Sequence, residues 1–253
     1  MILIDTHAHV NFSAYKLDAD EVIRRSLDSD TWIINVGSQY STGKRAVELA
    51  EKDKEGVYAA VGLHPIYAQD GFDYKKYKQL AQSPGVVAIG EIGLDYKEEY
   101  AAFKEKQKEV FLKQLELAQE LHLPIIFHCR MAHKDLIEIL NEQKTANNEQ
   151  LKGVVHCFTG SWAQAEKYLE MGLYLGFNGI IFKMSLDDII KKTPLDKILI
   201  ETDCPYLTPS QVEGRNEPSH VKYVAKEIAK IKNTSYEEIS KITSENAKKL
   251  FKI

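Results

Sequence analysis

Six side chains in this sequence have the types and spacing of a metal centre. His7 and His9 stand one residue apart in "ILIDTHAHV", at the end of an apolar run. Glu91 lies in "GVVAIGEIG", His128 in "LPIIFHC", His156 in "LKGVVHCF" and Asp203 in "KILIETD", each at or near the end of another such run. Mixed imidazole and carboxylate ligands suit Zn²⁺ or Mn²⁺ better than an all-oxygen Mg²⁺ site. Alone, a histidine at a strand end packs against its neighbours through a hydrogen bond, and an acid there caps a helix. A set of buried imidazoles and carboxylates is different, because each is costly without a partner. One metal centre would satisfy them all.

The elements that must position these residues follow from hydrophobic period. Short β-rich segments alternate with longer helical ones along the chain. The strand segments are the five quoted above together with "TWIINVG", "GVYAAVGLH" and "LYLGFNG". Helical patterns between and after them include "STGKRAVELAEKDK", "FKEKQKEVFLKQLELAQELHL", "AHKDLIEILNEQ", "SWAQAEKYLEMG" and "SLDDIIKK", with "PSHVKYVAKEIAKI" and "SYEEISKITSENAKKL" in the tail. Eight strands alternating with helices predict an α/β fold, a (β/α)8 TIM barrel whose active site lies at the C-terminal ends of the strands. A doubly wound open sheet would carry a Gly-rich phosphate turn after its first strand; here that place holds "THAHVN".

The barrel brings the ligands together. His7 and His9, at i and i+2 on a strand, share a face. Strand eight closes beside strand one, so Asp203 joins them around one ion. His128 and His156, on adjacent strands, hold a second, and Glu91 bridges the two. The expected cofactors are therefore two divalent cations per chain, Zn, Mn or Mg. His64, at the end of the third strand, faces the same mouth.

The 253 residues, 44% of them hydrophobic, are read as a single barrel domain spanning 1–253. A net charge of −4 argues against a broad electrostatic grip on duplex nucleic acid. The sequence shows no signal-peptide pattern, and its apolar runs are too short to span a bilayer. Three cysteines make no disulfide framework. The expectation is a cytoplasmic protein with no membrane association and no obligate protein partner.

Taken in order, "DTHAH", "VGLHP", "GEIGLDY", "PIIFHCR", "VVHCFTG", "ILIETDCPYLTP" and "GRNEP" resemble the TatD family of metal-dependent hydrolases. The motifs run from residue 5 to about residue 218. The resemblance implies a metal-dependent (β/α) barrel that cleaves phosphodiester bonds, a deoxyribonuclease of 3′-to-5′ exonuclease type acting on single-stranded DNA or 3′ ends. It places His7, His9, Glu91, His128, His156 and Asp203 on metal-ligand positions, and His64 near the substrate phosphate. Asp203 would also act as general base. Met131 stands where many members carry an acidic residue.

Further assignments keep two readings each. Asp5 and Glu201 either orient a ligand imidazole or make a barrel-interior salt link or turn contact. Arg130, Tyr96 and Arg215 either contact substrate or serve structure, and Asn216 either touches substrate or closes a loop. Cys129, Cys157 and Cys204 each follow a proposed ligand, so strand alternation puts them behind the site. "GFDYKKYKQL" reads as a solvated helix face, with a cradle for single-stranded DNA as the alternative. Two rival functions stand beside the nuclease: an amidohydrolase or lactonase acting on C–N or C–O bonds, and a non-catalytic metal-binding protein. Glu91 in place of a bridging lysine disfavours the first, and a proton acceptor at Asp203 disfavours the second.

Overall fold

The computed structural model describes residues 2–53, 55–147 and 151–253. Eight strands form one sheet in sequence order: β1 (Leu3–Ala8), β2 (Thr31–Val36), β3 (Val57–Val61), β4 (Val86–Asp95), β5 (Ile125–Arg130), β6 (Gly153–Val155), β7 (Tyr174–Phe177) and β8 (Ile198–Ile200). Every neighbouring pair is parallel. Closure from β8 to β1 uses residues beyond the strand ends. Ala8 bridges Cys204, the His9 amide donates to the Cys204 carbonyl at 2.9 Å, and the Asp203 amide donates to the His7 carbonyl at 2.8 Å. The result is the expected (β/α)8 barrel.

The helices are α1 (Ala19–Asp28), α2 (Tyr40–Ala50), α3 (Tyr74–Ala81), α4 (Lys104–Glu120), α5 (His133–Asn147), α6 (Trp162–Glu170), α7 (Asp187–Lys192), α8 (Val221–Lys232) and α9 (Tyr236–Phe251). Only α1 falls where the sequence suggested no helix. Its buried stripe is Ala19, Val22, Ile23 and Ser26, too sparse to stand out among its charges. Local chemistry fixes several helix starts. The Ser161 and Gln164 side chains reciprocally cap α6, and Ser235 caps α9 by accepting from the Glu238 amide at 3.0 Å.

The core has two parts. One large cluster fills the layer between strands and helices. A second, including Ile4, Ile34, Ala88, Ile126, Val154 and Leu199, packs with Ala247, Leu250 and Phe251 of α9. Polar contacts fix α9 against that floor: Ser244 donates to the Ile2 carbonyl at 2.7 Å and Asn246 to the Ile198 carbonyl at 2.9 Å. The opposite, C-terminal end of the barrel is left to polar side chains. Among the described residues, no helix is long and apolar enough to cross a membrane.

Candidate metal centre

Glu91 is the hub of the C-terminal mouth. Its Oε2 lies 3.4 Å from His7 Nε2 and 4.0 Å from His9 Nε2. Its Oε1 lies 2.5 Å from His128 Nδ1, 3.4 Å from His156 Nε2 and 3.5 Å from His64 Nε2. The two oxygens of one carboxylate thus face two separate groups of imidazoles. On the Oε2 side, His7 Nε2 and His9 Nε2 are 3.2 Å apart, and Asp203 Oδ1 is 3.3 Å from His9 and 3.9 Å from His7. His7, His9 and Glu91 form one set of potential ligand atoms, and Glu91, His128 and His156 another. A nitrogen–oxygen set converging from several strands fits divalent cations well.

Irregular backbone aims these side chains. The β1–β2 pairing shifts register between Asp5 and Ala8, and β4–β5 between Gly90 and Ile92, so both strands bulge where the candidate ligands sit. Glu91 therefore lies within β4, which runs on to Asp95 instead of ending at Glu91. Asp203 sits three residues past β8 with φ +56°, a left-handed conformation held by its amide's bond to the His7 carbonyl. Close packing is made by glycine. A Cβ on Gly93, whose φ is +147°, would meet the His128 carbonyl oxygen at 2.0 Å, and one on Gly176 would meet Glu201 Oε2 at 2.5 Å.

The candidate ligand rings His9, His128 and His156 are held from behind, as metal-binding imidazoles usually are. His9 Nδ1 bonds the Val36 carbonyl at 2.8 Å, and His128 Nε2 faces Asp95 Oδ2 at 3.1 Å. His156 Nδ1 lies 2.8 Å from Glu201 Oε1, off the line a hydrogen bond prefers. Glu201 Oε1 also accepts from the Cys157 amide at 2.7 Å and from Asn178 Nδ2 at 3.0 Å. Asp5 holds no imidazole. It accepts from the Thr202 amide and hydroxyl and the His7 amide, bracing the barrel seam.

Sequence reasoning missed three polar residues here. Asp95 is four residues from Glu91 on the same strand, a spacing that could have flagged it. Gln107 and Gln114 are buried on the packed face of α4. Gln107 accepts from the Asp95 amide and donates to its carbonyl, both at 2.8 Å. Gln114 does the same for Leu63, at 2.7 and 3.0 Å, just before His64. Polar residues seven apart within a helix's apolar stripe were the available signal.

Electrostatics suit a cation site. Burial would raise the Glu91 carboxyl, but His64, His156, His128 and His7 around it hold it well below the usual range. Burial likewise opposes ionisation of Asp203, and His9, His156 and His7 reverse the effect. Burial and a neighbouring imidazole push His7 and His64 down. His156 goes the other way: burial opposes its charge, yet Glu201 and Glu91 lift it to about 10. A divalent cation binding here would displace such protons.

The sequence profile of the family described as "TatD related DNase" matches residues 4–252. The chain belongs to this family. The uncharacterized metal-dependent hydrolase YabD of Bacillus subtilis is 46% identical over 100% of both chains. The 3′-5′ ssDNA/RNA exonuclease TatD of Erwinia tasmaniensis is 31% identical over 99% of this chain and 100% of that one. The crystal structure of YjjV, a TatD homologue from Escherichia coli K12, superposes with a TM-score of 0.89 at 30% identity, covering 99% and 98% of the two chains.

In this TatD-related chain several expected substrate contacts are committed elsewhere. Arg215 grips Asp18 through both terminal nitrogens, at 3.1 and 2.5 Å, donates to the Ala14 carbonyl and covers the Tyr15 ring. Asn216 closes the loop, donating to the Thr202 and Tyr206 carbonyls. The Tyr96 hydroxyl donates to Asp135 at 2.8 Å, with Lys104 over its ring. Arg130 ends β5 with an exposed side chain, and Met131 beside it is 75% exposed. Cys129 and Cys204 are buried as expected, but Cys157 is not behind the site. β6 ends at Val155, alternation stops there, and Cys157 at φ +44° joins His156 and Asp203 in one cluster.

Proposed function

We propose that this protein is a metal-dependent phosphodiesterase that degrades single-stranded nucleic acid, DNA first among its substrates, from the 3′ end. The observation that carries the reading is the division of Glu91, one oxygen toward His7 and His9 and the other toward His128 and His156. That arrangement would let Glu91 contribute to two divalent-cation sites. His7, His9, Asp203 and Glu91 would hold the first, and Glu91, His128 and His156 the second. When bound, such cations lower the pKa of a water molecule and neutralise charge on a phosphate oxygen.

The chain's own groups supply the rest. Asp203, ionised and with 16% of its side chain exposed, takes the proton of the attacking water. His64 binds the phosphate as a hydrogen-bond donor. Its Nδ1 accepts from the Ile66 amide at 3.2 Å, so the neutral ring carries its proton on Nε2, the nitrogen that faces the centre. His9, His128 and His156 are backed by acceptors, whereas His64 is backed by a donor, which keeps its proton on the nitrogen toward the centre. The names of relatives such as the Erwinia exonuclease support the choice of nucleic acid.

The test is degradation of end-labelled single-stranded DNA with Mn²⁺, Mg²⁺ or Zn²⁺, against a panel of amides and lactones. Stepwise shortening from the 3′ end, abolished by chelator and by His128→Ala, is the expected result. Amide or lactone turnover without DNA cleavage would overturn it.

A further inference from the structure

We propose that a cavity walled in part by Leu63, the residue before His64, is a nucleobase subsite, an inference that rests on the phosphodiesterase reading of the metal centre. The cavity, about 350 Å³, lies between the start of α2 and the start of α3, with Tyr40, Ser41, Asp70, Asp73, Lys76 and Tyr77 in its wall. That volume falls within the roughly 300–1,000 Å³ of small-molecule sites. The loops that build it leave the C-terminal ends of β2 and β3, the end of the barrel where the metal centre opens. Leu63, also in its wall, immediately precedes His64. A base seated there would belong to a nucleotide whose backbone runs past His64.

Tyr77 is 3% exposed; its hydroxyl lies behind the wall, buried and without a hydrogen-bond partner among the described residues. Its ionisable neighbours are Asp70 and Tyr40 of the same wall. Phe72 stacks on the Tyr77 ring at 4.7 Å and Tyr40 meets it edge-on at 5.7 Å, so the ring is fixed. Tyr40 itself is 40% exposed and offers a stacking surface.

The charges select the ligand. Asp73 caps α3 by accepting from the Lys76 amide at 3.2 Å, and its other oxygen lies 3.6 Å from Lys76 Nζ. Those two charges offset each other. Asp70 remains, receiving one long bond of 3.4 Å from Gln39 Nε2. A phosphate would be repelled by Asp70. A base with an exocyclic amino group would donate to Asp70 and stack on Tyr40. Adenine, cytosine and guanine carry that amino group; thymine and uracil do not. The segment "GFDYKKYKQL" is thus both a helix start and, through Asp73, Lys76 and Tyr77, part of a cavity wall.

Two measurements on the metal-loaded protein test this. The first compares kcat/KM on dA, dC and dT oligomers with that on bis(p-nitrophenyl) phosphate, a diester without a base. Oligomers of dA and dC should be preferred over dT. Tyr40→Ala should lower the dA-to-diester ratio about tenfold, within the usual size of base–aromatic stacking. Asp70→Asn, which presents an amide N–H, should move preference toward dT. The second measures quenching of 2-aminopurine at the 3′ end of a short oligomer on binding, which needs no turnover. Quenching lost in Tyr40→Ala supports the subsite. Equal quenching in both proteins, or a base-independent ratio unchanged by both substitutions, overturns it. Failure on the oligomers and on the base-free diester alike, with quenching intact, would instead overturn the reading of the metal centre and leave the cavity assignment standing.

Discussion

Glu201 Oε1 lies 2.8 Å from His156 Nδ1. The other oxygen of Glu201 is buried without a hydrogen-bond partner among the described residues, as is His7 Nδ1. His156 is therefore backed by Glu201. Replacing it by glutamine keeps the shape and removes the charge. Glu201→Gln should bind metal about 10–100-fold more weakly, the usual effect of losing an orienting partner. Competition with a chromophoric chelator measures this, and wild-type affinity would show that Glu201 orients nothing.

Asp203 is expected to move a proton as well as hold a cation. Asp203→Asn should lower kcat on bis(p-nitrophenyl) phosphate by about 10²–10⁴-fold, the range for a positioned acid–base group. Metal analysis of the same sample should still find metal bound. Near-normal turnover in that variant would remove Asp203 from the proton path.

Gln107 joins α4 to the end of β4 by two backbone bonds at Asp95. Gln107→Leu would leave a buried amide and carbonyl unpaired, at a cost of about 1–3 kcal/mol each at most. Stability measured by urea denaturation should fall, and kcat should fall with it because Asp95 backs His128. Gln114→Leu should produce the first effect and act on KM through His64. Loss of stability with unchanged kinetics in both variants would confine the glutamines to a structural role.

His133 should impose an acid limit on stability. Its Nδ1 faces the Tyr168 hydroxyl at 3.0 Å and Cys129 Sγ at 3.2 Å, and burial lowers it to about 4 from its ordinary value near 6.5. Above pH 6.5 the ring is neutral in folded and unfolded chains and contributes nothing. As pH falls from 6.5 toward 4 the unfolded chain takes up the proton first, so stability is lost across that window, about 3 kcal/mol at 1.36 kcal/mol per pKa unit. His133→Gln should flatten this part of the stability–pH curve in urea titrations. An unchanged slope would exclude His133 as the group responsible.

Arg215 is expected to matter for folding and not for substrate. Its guanidinium links the loop after β8 to Asp18 at the start of α1. Arg215→Ala should lower Tm by a few degrees and leave KM for DNA unchanged. A large rise in KM would return Arg215 to the substrate path.

The convergence of the candidate ligands was legible because it depends on order and parity. Once eight strands are counted, the barrel puts strand eight beside strand one, and Asp203 comes to His9 across 194 residues of sequence. The finer structure was not legible where regular geometry ends. Cys157 defeats alternation because β6 stops two residues before it. Glu91 sits mid-strand because β4 bulges and continues to Asp95. Arg215 and Tyr96 kept two readings because their partners, Asp18 and Asp135, lie on elements whose approach only the folded chain reveals. Gln107 and Gln114 were hidden for the opposite reason, as polar residues in a stripe read as apolar.

Those two glutamines set a rule for how this chain can change length. They are seven residues apart, about two turns of α4, and each holds the backbone beside one functional strand end. Inserting or deleting one residue between them would turn one side chain by about 100° around the helix axis and release Asp95 or Leu63. The stretch from Gln107 to Gln114 therefore works as a fixed gauge between two strands. Relatives that differ in length should place their insertions and deletions outside it, in the connections on either side.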